Sequence, residues 1–204
     1  MKFYNSVGPN PHMVRMFMAE KGFDVPKVEV DLRGGENRRE PFLKLNPAGQ
    51  CPALELDDGT VLAEITAICE YVDEIKKDTP SLIGDTPEER ANTRMWVRRI
   101  DLNILEPAAN GFRFSQGLKF FQDRVHCIPE AADGLKESAR KKLVWLDEQM
   151  GSKPFVTGDK LTMADILLFT FLEFLAKVGQ PLDPANKNLA AWRERMKARP
   201  SAAA

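Results

Sequence analysis

Residues 46–71, NPAGQCPALELDDGTVLAEITAICEY, carry four unlike signals in one run. Asn46-Pro47-Ala48-Gly49 reads as a turn, because proline restrains φ and glycine tolerates φ > 0. Cys51 to Leu56 is a short extended run led by Pro52, which cannot donate to a ladder and so belongs at a strand's start or on an edge. Asp57-Asp58-Gly59-Thr60 is a hairpin loop, and Val61-Leu62-Ala63 is the returning strand. Glu64 then opens a helix on which Ile65, Ile68, Cys69, Val72 and Ile75 share a face. A turn, a proline-led hairpin and a helix opening on an acid can hold a small ligand against backbone groups. The same residues also fit an edge hairpin packed on a helix.

Upstream, Lys2 to Ser6 reads as a strand and Val7-Gly8-Pro9-Asn10-Pro11 as a breaker cluster. A helix follows with Val14, Phe17 and Met18 on one face and ends near Gly22. Val25, Val28, Val30 and Leu32 alternate with polar residues in a second strand, so this start reads as a right-handed parallel βαβ unit. One weak amphipathic turn lies around Phe42, Leu43 and Leu45. The order β-α-β-α-β-β-α is that of a thioredoxin-like domain spanning residues 1–76.

Residues 77–87, KDTPSLIGDTP, have two prolines, a glycine and no periodicity, and read as a linker. Residues 88–204 read as an all-α domain. One long helix is predicted from Glu88 to about Asn110, followed by an aromatic-rich stretch with Phe112, Phe114, Phe120 and Phe121. Leu135, Ala139, Leu143, Leu146 and Met150 mark an amphipathic helix. Residues 165–178 are apolar on nearly every side, as in a helix buried within a bundle, with Thr162 and Asp165 as its capping-box variant. Trp192 to Pro200 reads as a closing amphipathic helix.

Composition narrows the function classes. A chain of 204 residues that is 43% hydrophobic and 29% charged is a globular protein rather than a disordered one. Its net charge of -1 supplies no field to recruit nucleic acid or an anionic membrane. No apolar run is long enough to span a bilayer and no leader-like segment begins the chain, so a cytoplasmic protein is expected. Three scattered cysteines form neither a disulfide framework nor a metal cluster, and two histidines leave zinc hydrolysis poorly supplied. No Ser-His-Asp set, P-loop, HExxH or CxxC is present. What remains is the start of the first helix at Gly8 to His12, where unpaired N–H groups and a partial positive charge suit an anion such as a thiolate.

On Asn46 to Pro52, Glu64 to Tyr71, Thr162 to Asp165 and Trp192 to Pro200, the chain resembles the glutathione transferase superfamily along nearly its whole length. The resemblance implies an N-terminal glutathione site, a C-terminal helical domain supplying the pocket for an electrophile, a homodimer, a role in detoxification and no metal. Glutathione would be held by Gln50, by Cys51 before a cis-proline at Pro52, by Glu64-Ile65 opening the third helix, and by Pro9. Asp101 would reach across the dimer to the glutathione amine.

Two departures stand out. Ile65 occupies the place of the usual serine, removing one hydroxyl contact. Gly8 falls where theta- or phi-like members carry the catalytic serine, with Tyr4 and Ser6 as the nearest hydroxyls. Gly8-Pro9-Asn10-Pro11-His12 is similar to the fungal and bacterial branch that lacks the catalytic Tyr, Ser or Cys. There a small residue lets the sulfur approach backbone, and a water held by the second domain assists; Ser115 sits in that region. Asn10 is also similar to nu-type members, which favour disulfide or peroxide reduction. The expected catalytic set is therefore Gly8, Asn10 and Ser115. A transferase acting on a hydrophobic electrophile is expected first. A glutathione-dependent disulfide or peroxide reductase and a non-catalytic interaction protein of the same fold are the alternatives.

Overall fold

The computed structural model describes all 204 residues, and the chain divides into two compact units, Met1–Ile83 with Pro200–Ala204, and Gly84–Arg199. The first unit holds β1 (Lys2–Asn5), α1 (Pro9–Glu20), β2 (Lys27–Glu29), α2 (Phe42–Leu45), β3 (Ala53–Glu55), β4 (Val61–Leu62) and α3 (Ile65–Ile75). Its sheet runs β2-β1-β3-β4, with β1 and β2 parallel and the other pairs antiparallel. This is the thioredoxin-like order expected from the chain. Phe3, Ala53 and Leu54 from the sheet are fully buried, as are Met13, Val14, Met16 and Phe17 of α1 and Ile68, Cys69 and Val72 of α3.

The second strand is shorter than its alternation predicts. Only Lys27–Glu29 joins the ladder, and Val28 is exposed. Val30 lies beyond the strand and is buried with Phe42 and Cys51, against Tyr4, Leu32 and Leu45. Edge position explains this: β2 has a neighbour on one side only, so its outer residues have no second surface to pack against.

The segment 77–87 is tied down along most of its length. The buried Lys21 ammonium lies 2.9 Å from Asp73 Oδ1 and donates to the carbonyls of Pro80 at 3.0 Å and Thr79 at 3.4 Å. Asp73 in turn accepts from Ser81 Oγ at 2.6 Å and from the Leu82 N–H at 2.9 Å. Thr86 and Glu89 form a capping box where the second unit's first helix begins.

The second unit is helical, with α4 (Pro87–Ile100), α5 (Glu106–Arg113), α6 (Leu118–Phe121), α7 (Ala132–Met150), α8 (Met163–Lys177) and α9 (Lys187–Lys197). The long helix predicted over 88–110 is continuous, from Pro87 to Arg113, but contains a π-helical turn, Asp101–Leu105, which closes on the Glu106 N–H to Asp101 carbonyl bond. Pro107 has no N–H to return to residue 103, so the regular ladder is lost at this point. Helix α8 is buried on nearly every side. Its Asp165 is more than a cap. It accepts from the Thr162 N–H at 3.0 Å, Thr162 Oγ1 at 3.0 Å, the Val156 N–H at 2.8 Å and Trp192 Nε1 at 3.0 Å. One carboxylate thereby joins α8, the preceding loop and α9.

Residues 200–204, expected within the helical domain of 88–204, group with the first unit. Pro200–Ala204 belong to the first unit, because Ser201 is buried there and its hydroxyl donates to Glu20 at the end of α1. His12 Nε2 donates to the Ala202 carbonyl at 3.1 Å.

Candidate functional site

Strand directions decide which residues meet. Tyr4 pairs with Ala53, so the chain leaving β1 for Gly8 runs beside the chain entering β3 through Cys51 and Pro52. Leu54 pairs with Leu62, so the chain leaving β4 for Glu64 reaches the same end of the sheet. Three expected segments, Gly8-Pro9-Asn10, Gln50-Cys51-Pro52 and Glu64-Ile65, therefore converge on one end of the first unit. Open α/β sheets bind ligands at such ends, where loops leave the strands.

Each segment has an unusual backbone. Gly8 is the N-cap of α1 at φ 114 and ψ 173, a region essentially closed to residues with a Cβ, and it caps the helix with no side chain. Pro9 and Pro11 occupy the first and third helical positions and carry no N–H. The His12 N–H bonds the Gly8 carbonyl at 3.3 Å. The first turn therefore offers an anion two backbone donors, from Gly8 and Asn10, beside the Asn10 side chain. The Cys51–Pro52 bond is cis. Glu64, at φ 67 and ψ 121, is the one non-glycine residue with positive φ, and α3 behind it also begins with no side-chain cap. Backbone strain of this kind costs on the order of 1–3 kcal/mol and clusters at functional positions.

The turn that presents Gln50 is held by its neighbours. Asn46 is buried, its amide donating to the Gln50 carbonyl at 2.8 Å and accepting from the Ala48 N–H at 3.2 Å. Asn37 donates to the Gly49 carbonyl. Asn46-Pro47 is an Asx-turn signal that could have marked this role from sequence. Arg15, by contrast, was invisible in the sequence. Its guanidinium donates to Asn5 Oδ1 at 2.7 Å and to the Ser6 carbonyl at 3.3 Å, bracing the end of β1, while Asn5 donates to Glu29 at 2.6 Å. No local pattern announces a contact of that kind.

Several candidates are removed from the chemistry. The Tyr4 hydroxyl donates to Glu55 at 2.7 Å, and that bond to a carboxylate, with burial, pushes its pKa up to about 12. Ser6 is buried and its hydroxyl donates to the Val30 carbonyl at 2.6 Å. Burial, reinforced by Glu36, raises the Cys51 thiol to about 12, so at neutral pH it is neither nucleophile nor ready partner for a mixed disulfide. Cys69 is fully buried, and burial raises its thiol well above the ordinary thiol range, as expected for a core residue.

In the second unit, Asp101 begins the π turn. The single hydroxyl proton of Ser115 is directed within its own segment, shared between the Gly111 carbonyl and Gln116 Oε1. Of the aromatic residues expected near an electrophile, Phe114 is core. Phe112 packs edge-on against Phe121 and Phe174, with ring centroids 5.9 and 5.4 Å apart, and the Arg124 guanidinium covers Phe120 at 3.4 Å. No helix is long and apolar enough to cross a membrane.

Family models for the glutathione S-transferase N-terminal and C-terminal domains match residues 7–75 and 129–195. Over 198 residues the chain is 36% identical to glutathione S-transferase 2 of Saccharomyces cerevisiae, a match covering 95% of this chain and 84% of that protein. It is 34% identical over 152 residues to elongation factor 1-gamma of Homo sapiens, covering 74% of this chain and 32% of that protein. The crystal structure of Gtt2 from Saccharomyces cerevisiae has the same fold with a TM-score of 0.90 at 34% identity, over 100% of this chain and 99% of that one. Strand order, the matched domains and the extent of the yeast similarity agree: the chain belongs to the glutathione S-transferase family.

Proposed function

We propose that this chain is a glutathione S-transferase that ionises glutathione at the start of α1 and directs the thiolate at an apolar electrophile. The observation that carries this reading is the convergence of two uncapped helix starts and the Cys51–Pro52 segment on one end of the sheet. Two helix N-termini suit a ligand with two separated anionic groups, a carboxylate and a thiolate. The γ-glutamyl carboxylate is assigned to the N–H groups at Glu64-Ile65, and the cysteinyl backbone to Cys51-Pro52, with Gln50 and Pro9 flanking. Asp101 of a second copy is assigned to the amine, which makes the working form a homodimer. The sulfur is assigned to Gly8 and Asn10.

No side-chain hydroxyl of β1 is available to that sulfur, so its stabilisation falls to backbone dipoles and the Asn10 amide. A helix terminus contributes roughly 0.3–1 kcal/mol, up to about 2 where partly buried. With one pKa unit worth about 1.4 kcal/mol, that lowers a thiol from roughly 8.5 by about one unit. The thiol proton leaves to solvent, the thiolate forms the C–S bond, and the electrophile's leaving group carries away the electron pair. Ser115 is a secondary member of the set, because its hydroxyl proton is engaged within its own segment by Gly111 and Gln116 and its oxygen is left to accept.

The test is titration with glutathione, following thiolate absorbance against pH and conjugation of a halogenated aromatic. A lowered thiol pKa with conjugation is expected. Binding with disulfide reduction but no conjugation would instead assign a reductase, the outcome Asn10 favours. The similarity to elongation factor 1-gamma motivates an interaction module, which would show no binding at millimolar glutathione.

A further inference from the structure

We propose that the chain's last residues, Pro200–Ala204, act as a strap that positions the glutathione-activating turn, with His12 as the residue that transmits its hold. The inference rests on the assignment of the sulfur to Gly8 and Asn10. It begins from how little that turn holds itself. Gly8 provides no side-chain cap, Pro9 and Pro11 lack N–H groups, and the bond from His12 N–H to the Gly8 carbonyl is long at 3.3 Å. Among its anchors are the buried Pro11 ring and the His12 side chain, whose Nε2 donates to the Ala202 carbonyl at 3.1 Å.

The strap has a second hold. Ser201 is buried and donates to Glu20, the final residue of α1. Adjacent tail residues thus reach α1 at points eight residues apart, about 12 Å along the helix axis. The tail itself is a 3-10 turn, Pro200–Ala203, closed by the Ala204 N–H to Ser201 carbonyl bond at 3.1 Å. A pre-formed turn bridging both ends of α1 fixes the helix against rotation and sliding. That fixes where the Gly8 and Asn10 N–H groups point.

His12 is a positioning residue in this scheme, since it touches the strap and not the sulfur. The test uses the full chain and three substitutions, His12→Leu, His12→Gln and Ser201→Ala, with two readouts: amide exchange at Asn10 and His12 without ligand, and the pKa of the glutathione thiol when bound. His12→Leu should speed exchange at these amides at least tenfold and raise the bound thiol's pKa by about one unit, with exchange in β1 and α3 unchanged. His12→Gln, which can still donate to Ala202, should restore most of both; Ser201→Ala should give a smaller change of the same sign. Wild-type exchange and wild-type thiol pKa in His12→Leu would overturn the strap. If the wild-type protein bound no glutathione, the transferase reading would fall, while the exchange data would still decide whether the strap holds the turn.

Discussion

Substitution of Gly8 by alanine separates two roles that one glycine can play. A Cβ built on Gly8 meets no atom within 4 Å, so space does not forbid alanine in the free protein. The backbone does, because φ 114 with ψ 173 lies in a region that only glycine occupies readily. Forcing an L-residue there costs on the order of 1–3 kcal/mol. For a domain of this size each kcal/mol lowers Tm by about 2–4 °C, so a fall of roughly 2–12 °C is expected. If the turn instead relaxes to negative φ, stability is recovered and the N–H of residue 8 no longer faces the sulfur. Either way the open space is where the sulfur would lie, and a methyl group displaces it. At pH 7 a thiol of pKa about 7.5 is roughly 24% ionised and one of about 8.5 roughly 3%, so losing one unit reduces the thiolate about eightfold. Differential scanning calorimetry, bound-thiol absorbance and conjugation rate measure the three quantities. An alanine variant with unchanged stability, thiol pKa and rate would refute the reasoning. A destabilised variant with unchanged thiol pKa would reduce Gly8 to a backbone requirement.

Glu64→Gly should relieve the positive φ and stabilise the fold by about 1 kcal/mol while weakening glutathione binding, a pairing that denaturation and calorimetric titration can check together. Lys21→Met leaves the mostly buried Asp73 without its cation and should cost about 3 kcal/mol by chemical denaturation, with a wild-type-like result excluding the ion pair as an anchor of residues 79–83. Burial raises the Asp165 carboxyl to about 6 against four opposing hydrogen bonds. A raised carboxyl contributes stability that is full below the ordinary range near pH 4 and is lost as pH rises through about 6, by about 3 kcal/mol at most. Comparing the wild type with Asp165→Asn between pH 4 and 7 should show that slope only in the former. Alkylation followed by mass spectrometry at pH 7.5 should label Cys127 before Cys51, with Cys69 protected until unfolding; early labelling of Cys51 would contradict its raised pKa.

Much of the fold was readable from residue order. Glycine, proline and period-2 alternation place the hairpin after Cys51-Pro52, and the apolar face from Ile65 to Ile75 places α3, because turns and amphipathic helices are written in neighbouring residues. The candidate site was readable where it depends on such punctuation, at Gly8-Pro9 and Cys51-Pro52. Legibility failed where the cause lies far along the chain. The truncation of β2 follows from its edge position, and the Asp165 hub depends on Val156 and Trp192 arriving at the same carboxylate.

By itself the sequence determined a thioredoxin-like half and a helical half, since local propensity and the spacing of prolines and glycines are enough for those; the family came from the resemblance of its motifs. Only the tertiary structure decided that residues 200–204 return to the first unit, that Tyr4 and Ser6 spend their hydroxyls on Glu55 and Val30, and that Glu64 adopts a positive φ. For the returning residues and the two hydroxyls the physical reason is the same. A hydrogen bond between residues 24, 51 or 190 positions apart leaves no mark on the periodicity of either partner. The stretch 46–71 thus reads as a turn, a hairpin and a helix start, and it takes the strand pairing to bring Gly8 and Asn10 beside it.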